Sequence, residues 1–156
     1  MLRSKDVLFQ RTGVSRLMTV LAAPGGVQLV AAAVENNGAA DALVRIVSNA
    51  SVPTARKKWW FTRRRVPTRV PSQQGADPGA DTAVVSRREA RVACAGDAGN
   101  ALRKMATEPA IASAMRSRGS GLAASLLAAS RDEGLDRNVR DTMGEAHALL
   151  VAGEGK

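Results

Sequence analysis

Apolar side chains recur with the period of an amphipathic helix in several parts of the chain. Two short stretches, 39–48 and 120–130, each follow a glycine, and three longer ones lie near 7–22, 87–106 and 138–151. The pattern predicts short and long helices, with no sheet. The clearest apolar faces comprise Leu43, Val44, Ile46 and Val47; Leu122, Leu126 and Leu127; Ala90, Cys94, Ala98, Ala101, Leu102 and Met105; and Val139, Met143, Ala146 and Leu150.

Three segments of the chain resemble one another, each with a glycine followed about eleven residues later by a serine. They are 35–48, 72–86 and 116–130, with the glycines Gly38, Gly75 and Gly119. The glycines are 37 and 44 residues apart, close to the ~40-residue unit of helical repeat proteins. Pro24 and Pro109 mark the start of a short helix before the two outer glycines, because proline fits the first helical turn and glycine the end.

The order of short helix, glycine turn, short helix, polar turn and long helix, at this period, resembles the armadillo repeat. The matching motifs are VENNGAADALVRIVS followed by ARKK, and NALRKMATEPAIASAMRSRG followed by LAASLLAAS. They cover about two thirds of the chain. The resemblance implies an all-α fold, a short right-handed α-solenoid of about three imperfect repeats in a single domain, 1–156. Partial first repeats would span 7–66 (including a long helix near 54–66), an irregular basic joint 67–86, and C-terminal repeats 87–152.

The chain departs from the armadillo pattern in three ways. A turn and short helix are replaced by VPTRVPSQQ before Gly75, and Trp59 and Trp60 stand where alanine and leucine are usual. The asparagine that these families often carry near the end of the long helix is also missing, with Arg65, Lys104 and Leu149 at the matching positions. The resemblance therefore does not imply an importin-like grip on basic peptides.

Composition agrees with helices and adds a strong positive charge. Alanine is abundant, aromatic residues make up 3% of the chain, and the formal net charge is +9. The charge is densest in RKKWWFTRRRVPTR, at 56–69. This basic-aromatic segment (56–70) could bind nucleic acid or an anionic membrane electrostatically, resemble a nuclear-localisation run, or form a helix that buries its aromatic rings.

The resemblance also suggests which residues contact a partner. If the long helices line the concave face as in armadillo proteins, five side chains share one stripe: Lys58, Phe61, Arg65, Asn100 and Lys104. This stripe is basic, so an acidic peptide or protein is the expected ligand. The expected function is non-catalytic protein binding or scaffolding, with electrostatic nucleic-acid or membrane binding through 56–70 as the alternative.

No catalytic constellation is evident in the sequence. His147 and Cys94 are the single histidine and cysteine, which gives no support to a histidine-based zinc site or a Cys–His dyad. Residues 119–124 match G-x-G-x-x-A, but the dinucleotide fingerprint requires a preceding strand, whereas the preceding residues have helical spacing. We therefore expect a protein that is not an enzyme, with no cofactor, metal or small-molecule substrate.

The single cysteine suits a reducing compartment, so a cytoplasmic or nuclear location is expected. The first twenty residues are rich in arginine and lysine with one acid, Asp6, which keeps a mitochondrial transit peptide open as a minor alternative. The apolar ends of the predicted repeat stack carry no obvious polar cap, so self-association or dependence on a larger partner is also expected.

Overall fold

The computed structural model describes residues 2–3, 6–51 and 78–153. This part of the chain forms seven α-helices and contains no β-strand, which confirms the all-α prediction there. The helices are α1 (Val7–Ala22), α2 (Gly26–Asn37), α3 (Ala39–Ser48), α4 (Pro78–Thr107), α5 (Pro109–Ser117), α6 (Ser120–Ser130) and α7 (Arg137–Ala152).

Helix boundaries follow from local side-chain chemistry. Asp6 and Asp136 precede α1 and α7, and each carboxylate accepts a hydrogen bond from a backbone amide two residues later, at 2.8 and 2.9 Å. These bonds satisfy amides that have no partner within the helix. Gly38 (φ 61°) and Gly119 (φ 88°) separate the short helices, in conformations that residues with a Cβ rarely adopt. The predicted glycine turns at 38 and 119 are confirmed, and Gly75 lies outside the described residues.

Helix α4 is longer than the sequence pattern predicts. It begins at Pro78 rather than near Arg87, so residues 78–86, assigned to the irregular joint, are helical. Proline is well suited to the first position of a helix, and no proline or glycine follows between residues 80 and 95. The apolar pattern is weak over 78–86, but once a helix has formed, each added residue contributes one further backbone hydrogen bond, which favours its extension.

Each helix packs beside the one three places later in the chain. Helix α1 contacts α4, α2 contacts α5, α3 contacts α6, and α4 contacts α7. One ion pair joins each pair of neighbouring long helices. Arg11 on α1 pairs with Asp97 on α4, and Arg103 on α4 pairs with Glu145 on α7, so each long helix lies beside the next. The first pair is separated by 86 residues in sequence and the second by 42.

The core lies where these helices meet and is built from small and medium aliphatic side chains. Nearly all the predicted apolar faces on α3, α4, α6 and α7 are buried, and only Ala90 and Leu127 are partly exposed. Cys94 is buried as predicted. Among the described residues, no polar or charged residue is buried. Burial is therefore driven by apolar surface alone, with alanine allowing close helix approach.

No helix in the described ranges has both the length and the apolarity needed to cross a membrane.

Candidate functional site

The long helices α1, α4 and α7 lie side by side and expose one continuous surface, here called the three-helix face. Two ion pairs cross it: Arg11 Nε lies 3.3 Å from Asp97 Oδ2, and Arg103 Nη1 lies 3.0 Å from Glu145 Oε2. The first links α1 to α4 and the second links α4 to α7. All four side chains are solvent-accessible, so the pairs contribute little stability but fix charge positions across the face.

Two of the five residues predicted to bind a partner lie on the three-helix face. Asn100 and Lys104 are exposed one turn apart on α4, beside the two ion pairs. Lys58, Phe61 and Arg65 lie outside the described residues, so the shared five-residue stripe stays a prediction.

The charges on the described part of the three-helix face largely cancel. The two ion pairs neutralise Arg11 and Arg103, whereas Lys104 forms no ion pair within the described part of the chain. Lys104 therefore adds a positive charge to the face beside the two ion pairs. The strongly basic character predicted for the binding stripe depends on Lys58 and Arg65, which lie outside the described residues.

A second feature, an arginine-lined cleft, was not predicted from the sequence. It is a cavity of about 310 Å³ between the N-terminal segment, α1, α3 and α4. Arg3, Arg45 and Arg91 line it from three different elements, and its lining includes no carboxylate. The remaining lining residues are Leu2, Val7, Gln10, Ala42, Ile46, Asn49, Ala50 and Cys94. The lining of the cleft thus combines three arginines, two amide-bearing residues and apolar residues.

No protein family, curated protein or solved structure matches the chain. The interpretation of both surfaces therefore rests on their own geometry and charge.

The arginine-lined cleft escaped sequence analysis because its three arginines are far apart in the chain. Arg3, Arg45 and Arg91 belong to no local motif, and only the packing of α1, α3 and α4 brings them to one cavity. The available signal was an exposed arginine on each of two helices, Arg45 on α3 and Arg91 on α4. Such a signal is meaningful only once the order of helix packing is known.

The segment resembling a dinucleotide fingerprint lies between two helices. Gly119 is preceded by α5 and followed by α6, so the strand that this fingerprint requires is replaced by a helix. Gly119 forms a turn between two helices as predicted, but residues 120–124, predicted as part of that turn, already belong to α6. Within the described ranges, no three His, Cys, Asp or Glu side chains come together in a group that could hold a metal ion.

Cys94 lies at the lining of the arginine-lined cleft with its thiol held in the protonated form. Burial raises its pKa above the ordinary value of 9.0, the Asp97 carboxylate raises it further, and Arg11 partly offsets both. The thiolate, which is the reactive form, is therefore disfavoured at neutral pH. This arrangement suits a packing role better than a nucleophilic one.

The raised pKa of Cys94 should make the folded state less stable in alkaline solution. The unfolded chain releases the thiol proton first, so the free energy of unfolding should fall as pH rises above about 9, by up to about 1.4 kcal/mol for each unit of pKa difference. Urea unfolding at pH 7.5, 9 and 10 should show a steeper alkaline loss for the wild type than for Cys94→Ala. Equal slopes in the two proteins would show that Cys94 does not titrate differently on folding.

Proposed function

We propose that this protein is a non-catalytic protein-binding module of the α-solenoid type, resembling armadillo repeats, that uses the three-helix face. The proposal is carried by one observation: three long helices lie in succession with their exposed sides on one surface. Repeat proteins bind through such surfaces because each unit contacts only its neighbours and leaves one side free.

The packing order supports a repeat arrangement. Helices α2 and α5 are short and lie side by side, as do α3 and α6, so two similar groups of helices stand next to each other. Arg118, just after α5, donates hydrogen bonds to the carbonyl oxygens of Val34 and Glu35 near the end of α2, at 3.3 and 2.9 Å. The ends of these two helices are therefore in register, as stacking by translation requires.

An acidic peptide or protein is the proposed ligand. Lys104, which forms no ion pair with the described residues, provides a positive charge beside the amide of Asn100. Lys58 and Arg65 would add to this charge if they lie on the same stripe. Charge complementarity of this kind governs association rate and specificity. Asp97 and Glu145 are each paired with an arginine, which reduces the repulsion between their carboxylates and an acidic ligand.

Charge reversal on this face should weaken binding of an acidic peptide. We expect Lys104→Glu to lower the affinity for a fluorescent Asp/Glu-rich peptide by about fivefold to tenfold, measured by anisotropy at low salt. The triple variant Lys58→Glu, Arg65→Glu and Lys104→Glu should abolish measurable binding. Arg131→Glu makes the same charge change in the exposed turn after α6. Its affinity for the peptide should stay within about twofold of the wild-type affinity, because the substituted charge is far from the face and is screened by salt. Equal losses for Lys104→Glu and Arg131→Glu would reject this face as the binding surface.

The alternative function, electrostatic binding through 56–70, is supported by the charge of that segment in the sequence. It makes a different prediction about salt. Binding to RNA or to anionic vesicles should weaken steeply with ionic strength because counterions are released, whereas binding to a peptide in a groove should depend on salt less strongly. The same anisotropy assay with a labelled oligonucleotide at two salt concentrations distinguishes the two functions.

A further inference from the structure

We propose that the arginine-lined cleft binds a phosphate monoester: a dianionic phosphate with a short organic group attached. This site is separate from the three-helix face. Arg91 and Lys104 lie on α4 but about 140° apart around its axis, at 3.6 residues per turn. The binding of a phosphate ester and the binding of an acidic peptide can therefore be tested independently.

The cleft has an uncompensated positive charge. Arg3, Arg45 and Arg91 all line it and no carboxylate does. Asp41, one turn before Arg45 on α3, is held instead by Arg118, whose Nη2 lies 2.9 Å from Asp41 Oδ2. Asp97, three residues after Cys94 and six after Arg91 on α4, is held by Arg11.

Two of the three arginines are available to a ligand. Within the described part of the chain, the side chains of Arg45 and Arg91 make no hydrogen bond or ion pair. Arg3 donates from Nη2 to the carbonyl oxygen of Asn37 at 2.7 Å, and its other N–H groups make no hydrogen bond to the described residues. Three arginines lining one cavity suit an anion with several oxygens, because a guanidinium group can donate two parallel hydrogen bonds.

The rest of the lining indicates an organic ester rather than a bare ion. Val7, Ile46 and Ala50 provide apolar surface, and the amides of Gln10 and Asn49 provide polar groups beside it. The volume of about 310 Å³ lies at the lower end of the range for small-molecule sites, about 300–1,000 Å³. A phosphate with a small side group fits this volume, whereas a nucleic-acid strand would need a row of positive charges extending beyond it.

Titration calorimetry with phenyl phosphate, inorganic phosphate and benzoate tests the proposal. We expect saturable binding of phenyl phosphate, weaker binding of inorganic phosphate and little binding of benzoate. Arg45→Gln and Arg91→Gln should each lower the affinity for phenyl phosphate at least about tenfold, since each removes charged hydrogen bonds. Arg131→Gln removes the same charge outside the cleft and should change it less than twofold.

A measurement on the unmodified protein avoids any effect of substitution on folding. Phenyl phosphate should shift the backbone NMR signals of Gln10, Asn49 and Ala50 around the cleft, and leave those of Asn100 and Lys104 unchanged. No saturable binding of phenyl phosphate, shifts located elsewhere, or equal effects of Arg45→Gln and Arg131→Gln would overturn the proposal.

The phosphate ester could be a free metabolite or part of a phosphorylated peptide. Free O-phosphoserine and a short phosphoserine peptide, each titrated separately, distinguish these sources. Equal affinities indicate that the cleft takes the free ester, and tighter binding of the peptide indicates a phosphorylated segment. Either result supports the site. If neither compound binds, the result counts against it.

Discussion

Replacement of Leu102 by alanine is expected to lower the free energy of unfolding by about 3–5 kcal/mol. Leu102 is fully buried on α4, the helix that packs against α1, α3 and α7. Truncation would leave a cavity where no other side chain can move in without shifting a helix. Because a domain of this size is stable by only about 5–15 kcal/mol, much of the protein would unfold under mild denaturant. Urea unfolding followed by circular dichroism measures the change.

Leu149→Ala on α7 is the matched control for Leu102→Ala. It removes the same atoms from a side chain that is 39% exposed, so the expected loss is about 1 kcal/mol or less. Losses of equal size in the two variants would show that α4 is not at the centre of the core.

Gly26→Ala is expected to destabilise the protein by about 2–3 kcal/mol, because an added Cβ would overlap the carbonyl oxygen of Val20. That oxygen belongs to the backbone of α1, so relief requires α1 and α2 to separate at their turn rather than a side chain to rotate. Denaturant unfolding should detect the loss, and the largest NMR shifts should cluster at the α1–α2 turn.

Gly121→Ala serves as the control for Gly26→Ala. Gly121 is near the start of α6, as Gly26 is at the start of α2, but its Cβ would meet nothing within 4 Å. Alanine there should stabilise the protein by about 0.5–1 kcal/mol through helix propensity. A gain from Gly26→Ala of the same size would contradict the close contact between α1 and α2.

The sequence predicted local structure well because local structure depends on nearby residues. Apolar spacing identified the buried faces of α3, α4 and α7. Asn100 and Lys104, which the armadillo resemblance placed on a binding surface, are exposed on α4. Gly38 was recognisable because a chain reversal with positive φ favours glycine. The start of α4 was missed because its first turns carry no clear apolar stripe.

The packing order and the arginine-lined cleft could not be predicted in the same way. Alanine-rich stripes are similar from helix to helix, so the sequence does not specify that α1 contacts α4 rather than a nearer segment. The cleft depends on that choice, because Arg3 and Arg91 meet only when α1 and α4 are neighbours. The apolar pattern of a sequence gives little information about which of several similar helices pack against each other.

The two long-helix contacts enclose different lengths of chain, 86 residues between Arg11 and Asp97 and 42 between Arg103 and Glu145. Contacts between residues that are farther apart in sequence form more slowly, because more of the chain must be ordered before they are made. The contact between α4 and α7 is therefore expected to form earlier in folding than the contact between α1 and α4.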